Sequence, residues 1–515
     1  MSHPDLFDVA IVGYGPTGAV AAGLLGQHGI RTWVCDRQHG VYDKPRAIAL
    51  DHEIMRVFQE LHIAQALQPH MEPFTNSEFF GVDGQLIKCM STIAPPYPLG
   101  YAPSIVFSQP PLEALLRERV AALPSVTVAL GQSVIDLSQD EKAATLTVQD
   151  ENGLRQQVRA RYVIGCDGAS SFVRQKTGLP LDDLGFDEPW LVVDLLVNDS
   201  GLAKLPRTSV QFCEPQRPTT LVIGPGRHRR WELAINPGED PQQLATPEGV
   251  WSLLSRWLTP QDATLWRQAS YRFHALVAQR WRQGRIFLAG DAAHQQPPFL
   301  GQGMCQGIRD AANLCWKLQA VLQHHASDNL LDTYGDERQQ HVRELTTRIK
   351  GIGQLVGERD PAKARARDAK LLAECGGVVQ PTPRQNVQPA LSKGLLSDAG
   401  RGPVGTLFPQ PWLSGDTAPC RMDERWGTGW RLVLCAAAPP EASAATVSFN
   451  AMPLQVCQLG QSGFVETEGV VSNWLQTHQA MAVVVRPDHY VYAIATDPEQ
   501  LHSQLIQLQQ ALRPA

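Results

Sequence analysis

Three short motifs carry residue types suited to holding a dinucleotide. Gly13-Tyr14-Gly15-Pro16-Thr17-Gly18 spaces its glycines as Gly-x-Gly-x-x-Gly. The first glycine of that pattern permits a tight turn, the second lets the backbone approach a pyrophosphate, and the third lets a helix pack on a strand. The phosphates then meet free N–H groups at the positive end of the helix dipole. Asp36, followed by Arg37, lies 23 residues after Gly13, close to the ~20 expected of a carboxylate that bonds an adenosine ribose. This motif alone does not separate NAD from FAD. Two further motifs, Cys166-Asp167-Gly168-Ala169-Ser170-Ser171-Phe172-Val173-Arg174 and Ala289-Gly290-Asp291-Ala292-Ala293-His294, set carboxylates beside glycines. A carboxylate suits sugar hydroxyls because it accepts charge-assisted hydrogen bonds from them. Each aspartate could also serve as a turn or cap residue, but the pair at these distances favours a ligand.

The elements needed to position these groups are legible around them. Residues 7–12 read as a buried strand, 17–28 as a helix and 32–35 as the next strand, a βαβ unit closing on Asp36. Strand-like segments alternate through 125–165, and 180–280 carries extended pieces among Pro and Gly turns, as in an antiparallel sheet. Helical periodicity returns at 304–324, with Met304, Ile308, Ala311, Cys315, Leu318 and Leu322 on one face. Gly and Pro cluster over 376–420 (Gly376, Gly377, Gly400 and Pro403 among them), which reads as a linker. The tail, 421–515, reads as a small separate α/β unit, and no internal repeat is found.

The bulk numbers exclude several classes. A chain of 515 residues predicts two or three domains. A net charge of −6 without a long basic run argues against a nucleic-acid partner. No apolar stretch nears the ~20 residues that span a bilayer. Met1 to Phe7 lacks the charged and apolar regions of a secretory leader. The ten cysteines show neither a Cys-x-x-Cys pair nor zinc spacing, so reduced thiols, a cytoplasmic protein and no metal are expected.

Together the three motifs resemble the flavin-dependent aromatic hydroxylases, single-component monooxygenases of the para-hydroxybenzoate and phenol hydroxylase type. Pro45-Arg46-Ala47-Ile48, Gln109-Pro110, Gly301-Gln302-Gly303 and the run Arg309 to Leu318 look like the branch containing 3-(3-hydroxyphenyl)propionate hydroxylase. The likeness covers most of residues 7–350. It implies an α/β fold: a Rossmann-type, glutathione-reductase-like FAD domain (1–180 and 281–375), an interleaved antiparallel-sheet substrate domain (181–280) and, after the linker, a thioredoxin-like C-terminal domain (421–515). Lacking Cys-x-x-Cys, that last domain would serve assembly or stability rather than dithiol chemistry.

The resemblance also implies an FAD site formed by Gly13, Gly15, Pro16, Thr17, Gly18, Asp36, Arg37, Arg46, Gln109, Val134, Asp167, Gly290, Asp291, Pro298, Gly301, Gln302, Gly303, Met304 and Cys305, with Val134 near the adenine. Where many relatives carry an Asn, this chain has Cys305, read as a packed thiol. NADH or NADPH would dock transiently, since no second Gly-x-Gly-x-x-Gly is present, and O2 would add to the reduced flavin to give a C4a-hydroperoxide that attacks a phenol ring. Gln211, Phe212, Thr220 and Ile223 are expected to line the substrate pocket. No catalytic base is assigned, although His52, His294 and Tyr271 could each touch a phenol. The substrate, a 3-hydroxyphenylpropionate-like acid or a larger polyketide-like aromatic, stays open. So does an oxidase or dehydrogenase on the same fold, while a carrier of the dissociation-inhibitor type is disfavoured. A homodimer is the assembly in view.

Overall fold

The computed structural model describes residues 6–398, 402–415, 418–444, 452–460 and 465–513; residues 1–5, from the stretch read for a leader, and Gly400 of the linker stretch lie outside them. The first sheet is parallel at its centre. Its strands run Ile286–Leu288, Arg155–Gly165, Leu6–Val12, Thr32–Asp36, Val126–Leu130, with Arg282–Gln283 as an antiparallel edge. Val9 to Val12 are all buried, as a strand covered on both faces requires. The helix Pro16–Gln27 opens on a proline, and Gly18 to Gly26 are buried all round. A helix without a polar face must be enclosed; this one is packed against the helices Gln109–Ala121 and Gly303–Gln323.

A second, nine-stranded sheet stands beside the first. Its long strands Leu181–Val197 and Ala263–Ala278 pair antiparallel, as expected for 180–280. The sheet also recruits chain from elsewhere: Ser77–Phe80 pairs parallel with Ser209–Phe212, and Leu86–Ser91 pairs with Thr382–Pro383. The stretch read as a linker is therefore packed: Arg384, Leu391, Leu395, Phe408 and Gln410 are all buried.

The tail folds around a four-stranded sheet ordered Leu454–Gln458, Trp430–Leu434, Ala482–Val485, Val491–Ala495, with the first pair parallel and the others antiparallel. Trp430 meets Trp316 of the helix Gly303–Gln323 edge-on at 5.7 Å, and one apolar core runs from the first sheet into this unit. Buried charges tie the two together. Arg56 donates to Asp423 at 2.9 and 3.1 Å, and Arg431 pairs with the same carboxylate. No helix among the described residues is long and apolar enough to cross a membrane.

Candidate flavin and substrate site

A cavity of about 1310 Å3 lies between the two sheets and collects most of the motif residues. Single ligand pockets hold roughly 300–1,000 Å3, so there is room for a cofactor and a substrate together. The glycine loop forms one end. Gly13 has φ +100°, and a Cβ there would lie 2.3 Å from the Cys166 carbonyl oxygen. Gly18 is closed in by the Gly13 oxygen, whereas a Cβ on Gly15 would meet nothing within 4 Å. The loop is thus tight everywhere except where a pyrophosphate must approach. No side chain caps the helix Pro16–Gln27, leaving first-turn N–H groups for an anion. Asp36 accepts from the Tyr14 and Gln38 amides at 2.7 and 2.8 Å and faces the cavity with Arg37, Gln132, Ser133 and Val134.

The second and third motifs are bound to each other. Asp167 accepts from Ser171 Oγ at 2.5 Å and the Val173 amide at 3.0 Å, so it does the work of a turn cap while also lining the cavity. Arg174 donates to the carbonyls of Ala169 and Ala292, both at 2.8 Å. Asp291 differs. Its carboxylate accepts no hydrogen bond among the described residues and opens into the cavity, and the protein around it raises its pKa above the ordinary carboxylate value. A free acceptor facing an open cavity suits ligand hydroxyls better than a cap role.

Asp310 holds that loop from beneath. It accepts from the Gly290 amide (2.9 Å), pairs with Arg338 (2.9 Å) and lies 2.7 Å from His294 Nε2. His294, a candidate for touching substrate, is instead a buried support. Asp310→Asn is expected to weaken FAD binding about ten- to hundredfold, each factor of ten being about 1.4 kcal/mol. Titration of FAD into the flavin-free variant checks this, and wild-type affinity would remove Asp310 as the loop's anchor.

Gln109 clamps the Arg46 loop, accepting from the Ala47 amide at 2.5 Å while its own amide donates to Glu113 at 2.7 Å. From the sheet side, Arg267 and Arg230 donate to the carbonyls of Pro45 and Arg46 at 2.9 and 2.7 Å. Pro298, Gly301, Gly303 and Met304 line the cavity where the helix Gly303–Gln323 begins; no side chain caps this helix either. Gln302 turns away to Arg309 and Gln388 (3.0 and 2.9 Å) and lines a second cavity of about 230 Å3 together with His52. Cys305 is fully buried, its sulfur near the carbonyls of Ala49 and Gly301 at 3.9 and 4.0 Å, and burial pushes its thiol pKa up. A packed thiol is what results.

Of the four residues expected to line a substrate pocket, Gln211 and Thr220 reach the cavity and Phe212 and Ile223 do not. The cause is the two-residue period of a strand. Ser209 and Gln211, Thr220 and Val222, and Arg230 and Glu232 point inward. Phe212 faces the other side against Trp257 and Arg256, and Ile223 joins the apolar cluster there. Parity was the signal: once Gln211 and Thr220 face in, their odd-spaced neighbours cannot. Sequence reasoning missed Arg230, Glu232 and Phe273, which line the same wall, and Arg384 beside Phe74. Tyr271 does line the cavity. Among the described residues no group of three or more His, Cys, Asp or Glu could hold a metal ion.

Residues 7–349 match the family model described as FAD binding domain, and residues 405–511 match HcaD C-terminal domain. A probable NADH-specific resorcinol 4-hydroxylase of Rhodococcus jostii (strain RHA1) is 38% identical over 98% of this chain and 95% of its own. A 3-(3-hydroxy-phenyl)propionate/3-hydroxycinnamic acid hydroxylase of Burkholderia vietnamiensis (strain G4 / LMG 22486) is 31% identical over 94% and 93%. The crystal structure of the flavin-dependent monooxygenase PieE, in complex with FAD and substrate, covers 99% of this chain and 100% of its own with a TM-score of 0.82 at 24% identity, a likeness of fold. With a cradle that fits FAD and relatives matched along nearly their full length, the chain belongs to the FAD-binding-domain family of flavin-dependent aromatic hydroxylases.

Proposed function

We propose that this enzyme hydroxylates a small phenol, best matched by a 1,3-dihydroxybenzene ring, with NADH as electron donor. The observation that carries this reading is the sheet wall opposite the helix Gly303–Gln323. It presents short uncharged hydrogen-bonding groups at Ser209, Gln211 and Thr220, and its cation, Arg230, is committed to Asp194 at 2.7 Å. A neutral hydroxylated ring suits such a wall, and the relative named as an NADH-specific resorcinol hydroxylase supports both substrate and donor.

In this reading Gly13 to Gly18 hold the pyrophosphate, Asp36 a ribose hydroxyl, Val134 the adenine edge and Asp291 the ribityl chain. The free amides of Gly303 and Met304 face the flavin ring, where they stabilise negative charge. When bound, FAD supplies hydride acceptance from NADH and the activation of O2 for transfer of one oxygen atom to the ring. Pro298, Phe299 and Phe273 line the cavity and keep water from the reacting faces. Cytoplasmic residence belongs to the same reading, supported by ten free cysteines. A homodimer belongs to the same reading, and light scattering on the same preparation tests it.

One observation favours a second reading, a 3-hydroxyphenyl-substituted acid. Arg384 is buried at the cavity, donates to the Leu300 carbonyl at 2.7 Å and makes no ion pair among the described residues; it could meet a substrate carboxylate. The test is NADH consumption by the yellow protein with resorcinol, with 3-(3-hydroxyphenyl)propionate and with neither, while hydroxylated product and H2O2 are measured. Resorcinol is expected to stimulate turnover at least tenfold and yield a trihydroxybenzene. Stimulation by the acid alone would move the assignment to the second reading, and peroxide as sole product would indicate an oxidase.

A further inference from the structure

Glu232 is a buried acid with nothing to hold. It is 5% exposed and lines the cavity, yet its carboxylate accepts no hydrogen bond and makes no ion pair among the described residues. The other carboxylates that are buried among the described residues all have partners: Asp51 and Glu53 with Arg309, Glu113 with Gln109, Asp194 with Arg230, Asp262 with Lys204, Asp310 with Arg338, Asp368 with Arg367, Asp423 with Arg56, and Glu337 and Asp488 with Arg486. An unpaired buried acid is costly, and proteins retain such groups where a ligand completes them.

Its neighbours define what that ligand offers. Glu232 stands directly opposite Thr220, and Thr220 opposite Gln211, on three adjacent strands. Thr220 Oγ1 gives its proton to Gln211 Oε1 at 2.5 Å, which leaves the threonine oxygen as an acceptor and the Gln211 amide as a donor without a protein partner. Side chains directly opposite on neighbouring strands stand about 5 Å apart, which is also about the separation of two hydroxyl oxygens placed meta on a benzene ring.

We propose that Glu232 is the catalytic residue that receives the proton of the phenol being hydroxylated, and that Thr220 accepts the second hydroxyl of a 1,3-dihydroxybenzene. This rests on the reading of the enzyme as a small-phenol hydroxylase. The step balances simply. The phenol O–H bond breaks, its electron pair stays on oxygen and enriches the ring, and a carboxyl O–H bond forms on Glu232. After oxygen transfer the ring loses its proton as it regains aromaticity, that proton going into the water formed from the second oxygen atom of O2, and Glu232 returns its own to the phenolate. Arg230, on the same strand, is occupied by Asp194 and the Arg46 carbonyl. The charged groups beyond it are Asp194 itself, His228 and Arg267. Burial, with Asp194 adding to it and Arg230 opposing it, brings the Glu232 carboxyl to about 7, where it exchanges a proton at neutral pH.

The experiment compares the wild-type holoenzyme with Glu232→Gln, which keeps shape and hydrogen bonding but cannot take the proton. Glu232→Gln is expected to stay yellow and to melt with the wild type. Its product per NADH should fall about tenfold to a hundredfold, within the range of general-base catalysis, with peroxide taking up the difference and KM for resorcinol little changed. In the wild type the yield should climb as pH rises through 7; in the variant that limb should vanish. Binding of 4-nitrophenol, followed by its phenolate absorbance, gives a readout on wild-type protein alone: bound probe should ionise in two steps shared with Glu232, where free probe ionises in one. Thr220→Val should raise KM for resorcinol and leave KM for monohydroxylic phenols unchanged. Wild-type coupling and an unaltered pH limb in Glu232→Gln would overturn the proposal. So, if that variant fails to fold, would a bound nitrophenol whose ionisation is the same as in free solution. A wild-type enzyme stimulated by no phenol would instead overturn the functional reading and this proposal with it.

Discussion

Gly13→Ala is expected to yield protein that neither folds stably nor holds FAD, whereas Gly15→Ala should fold normally and lose most of its FAD affinity. The two glycines sit two residues apart and do opposite jobs. At Gly13 a side chain faces a φ of +100° and a Cβ lying 2.3 Å from the oxygen and 2.6 Å from the carbon of the Cys166 carbonyl. The dihedral alone costs about 1–3 kcal/mol. The overlap adds to it, because the obstacle is backbone just past the strand Arg155–Gly165, fixed by the Cys166 amide's hydrogen bond to the Val12 carbonyl at 2.7 Å, and cannot rotate aside. At Gly15 the backbone is extended, with φ −74°, and a methyl enters open space. Only a cofactor would feel it. Melting temperature and flavin absorbance of the purified variants separate the effects: a depressed melting temperature for Gly13→Ala, and a wild-type melt with FAD affinity weakened at least tenfold for Gly15→Ala. If Gly15→Ala binds FAD as tightly as wild type, the pyrophosphate does not approach the backbone there.

That contrast also explains how much of the site was legible in the sequence. The glycine loop, Asp36 and Asp291 could be placed at one cavity from the sequence because each expresses a local backbone requirement at a fixed distance from a strand end. Phe212 and Ile223 were misplaced because strand composition reveals a strand but not which parity faces the ligand, and a one-residue shift exchanges the faces. Gln302 kept its place in the chain but its side chain left the flavin cavity for Arg309, 7 residues on, a choice made by a neighbour that only tertiary structure supplies. Arg384 and the strand Ser77–Phe80 arrive from far along the chain with no motif to announce them. The Gly- and Pro-rich stretch read as a linker is packed, because short strands such as Thr382–Pro383 join it to a sheet and buried side chains such as Phe408 and Gln410 hold the irregular backbone between them. Glu232 left no trace at all: an acid in an alternating strand reads as solvent-facing until the wall it joins is known to be interior.

The seam between the flavin domain and the tail rests on buried charge that hydropathy patterns do not reveal, and Glu337→Gln is expected to cost about 3–5 kcal/mol, the usual penalty for breaking a buried ion pair. Glu337 accepts from Lys317 Nζ (2.8 Å), Asn313 Nδ2 (2.7 Å), Arg486 Nη2 (2.6 Å) and the Leu395 amide (2.9 Å). It thereby joins two long helices to the C-terminal unit. Neutralised, it leaves the fully buried Lys317 and Arg486 with Asp488 as their remaining counter-charge. Urea titration measures the loss, and an unchanged midpoint would mean that the network contributes nothing net. The pH dependence carries an independent signature. Arg486 and Lys317 outweigh burial and hold the Glu337 carboxyl at about 2 against an ordinary 4.5, and Arg56 and Arg431 do the same for Asp423, at about 2 against 3.8. Both folded values are depressed, so their stabilisation is complete above the ordinary carboxylate range and is lost as pH falls from about 4.5 towards 2. Wild-type stability should drop through that window, and Glu337→Gln should drop less. The opposite limb belongs to Lys317, which burial lowers to about 8 even with Glu337 beside it. Its folded pKa lies below its unfolded one, so stability gains as pH rises from about 8 towards 10.5. Without Glu337 the lysine loses the attraction that opposes its desolvation, and Glu337→Gln should recover more of its loss at alkaline pH than at neutral pH.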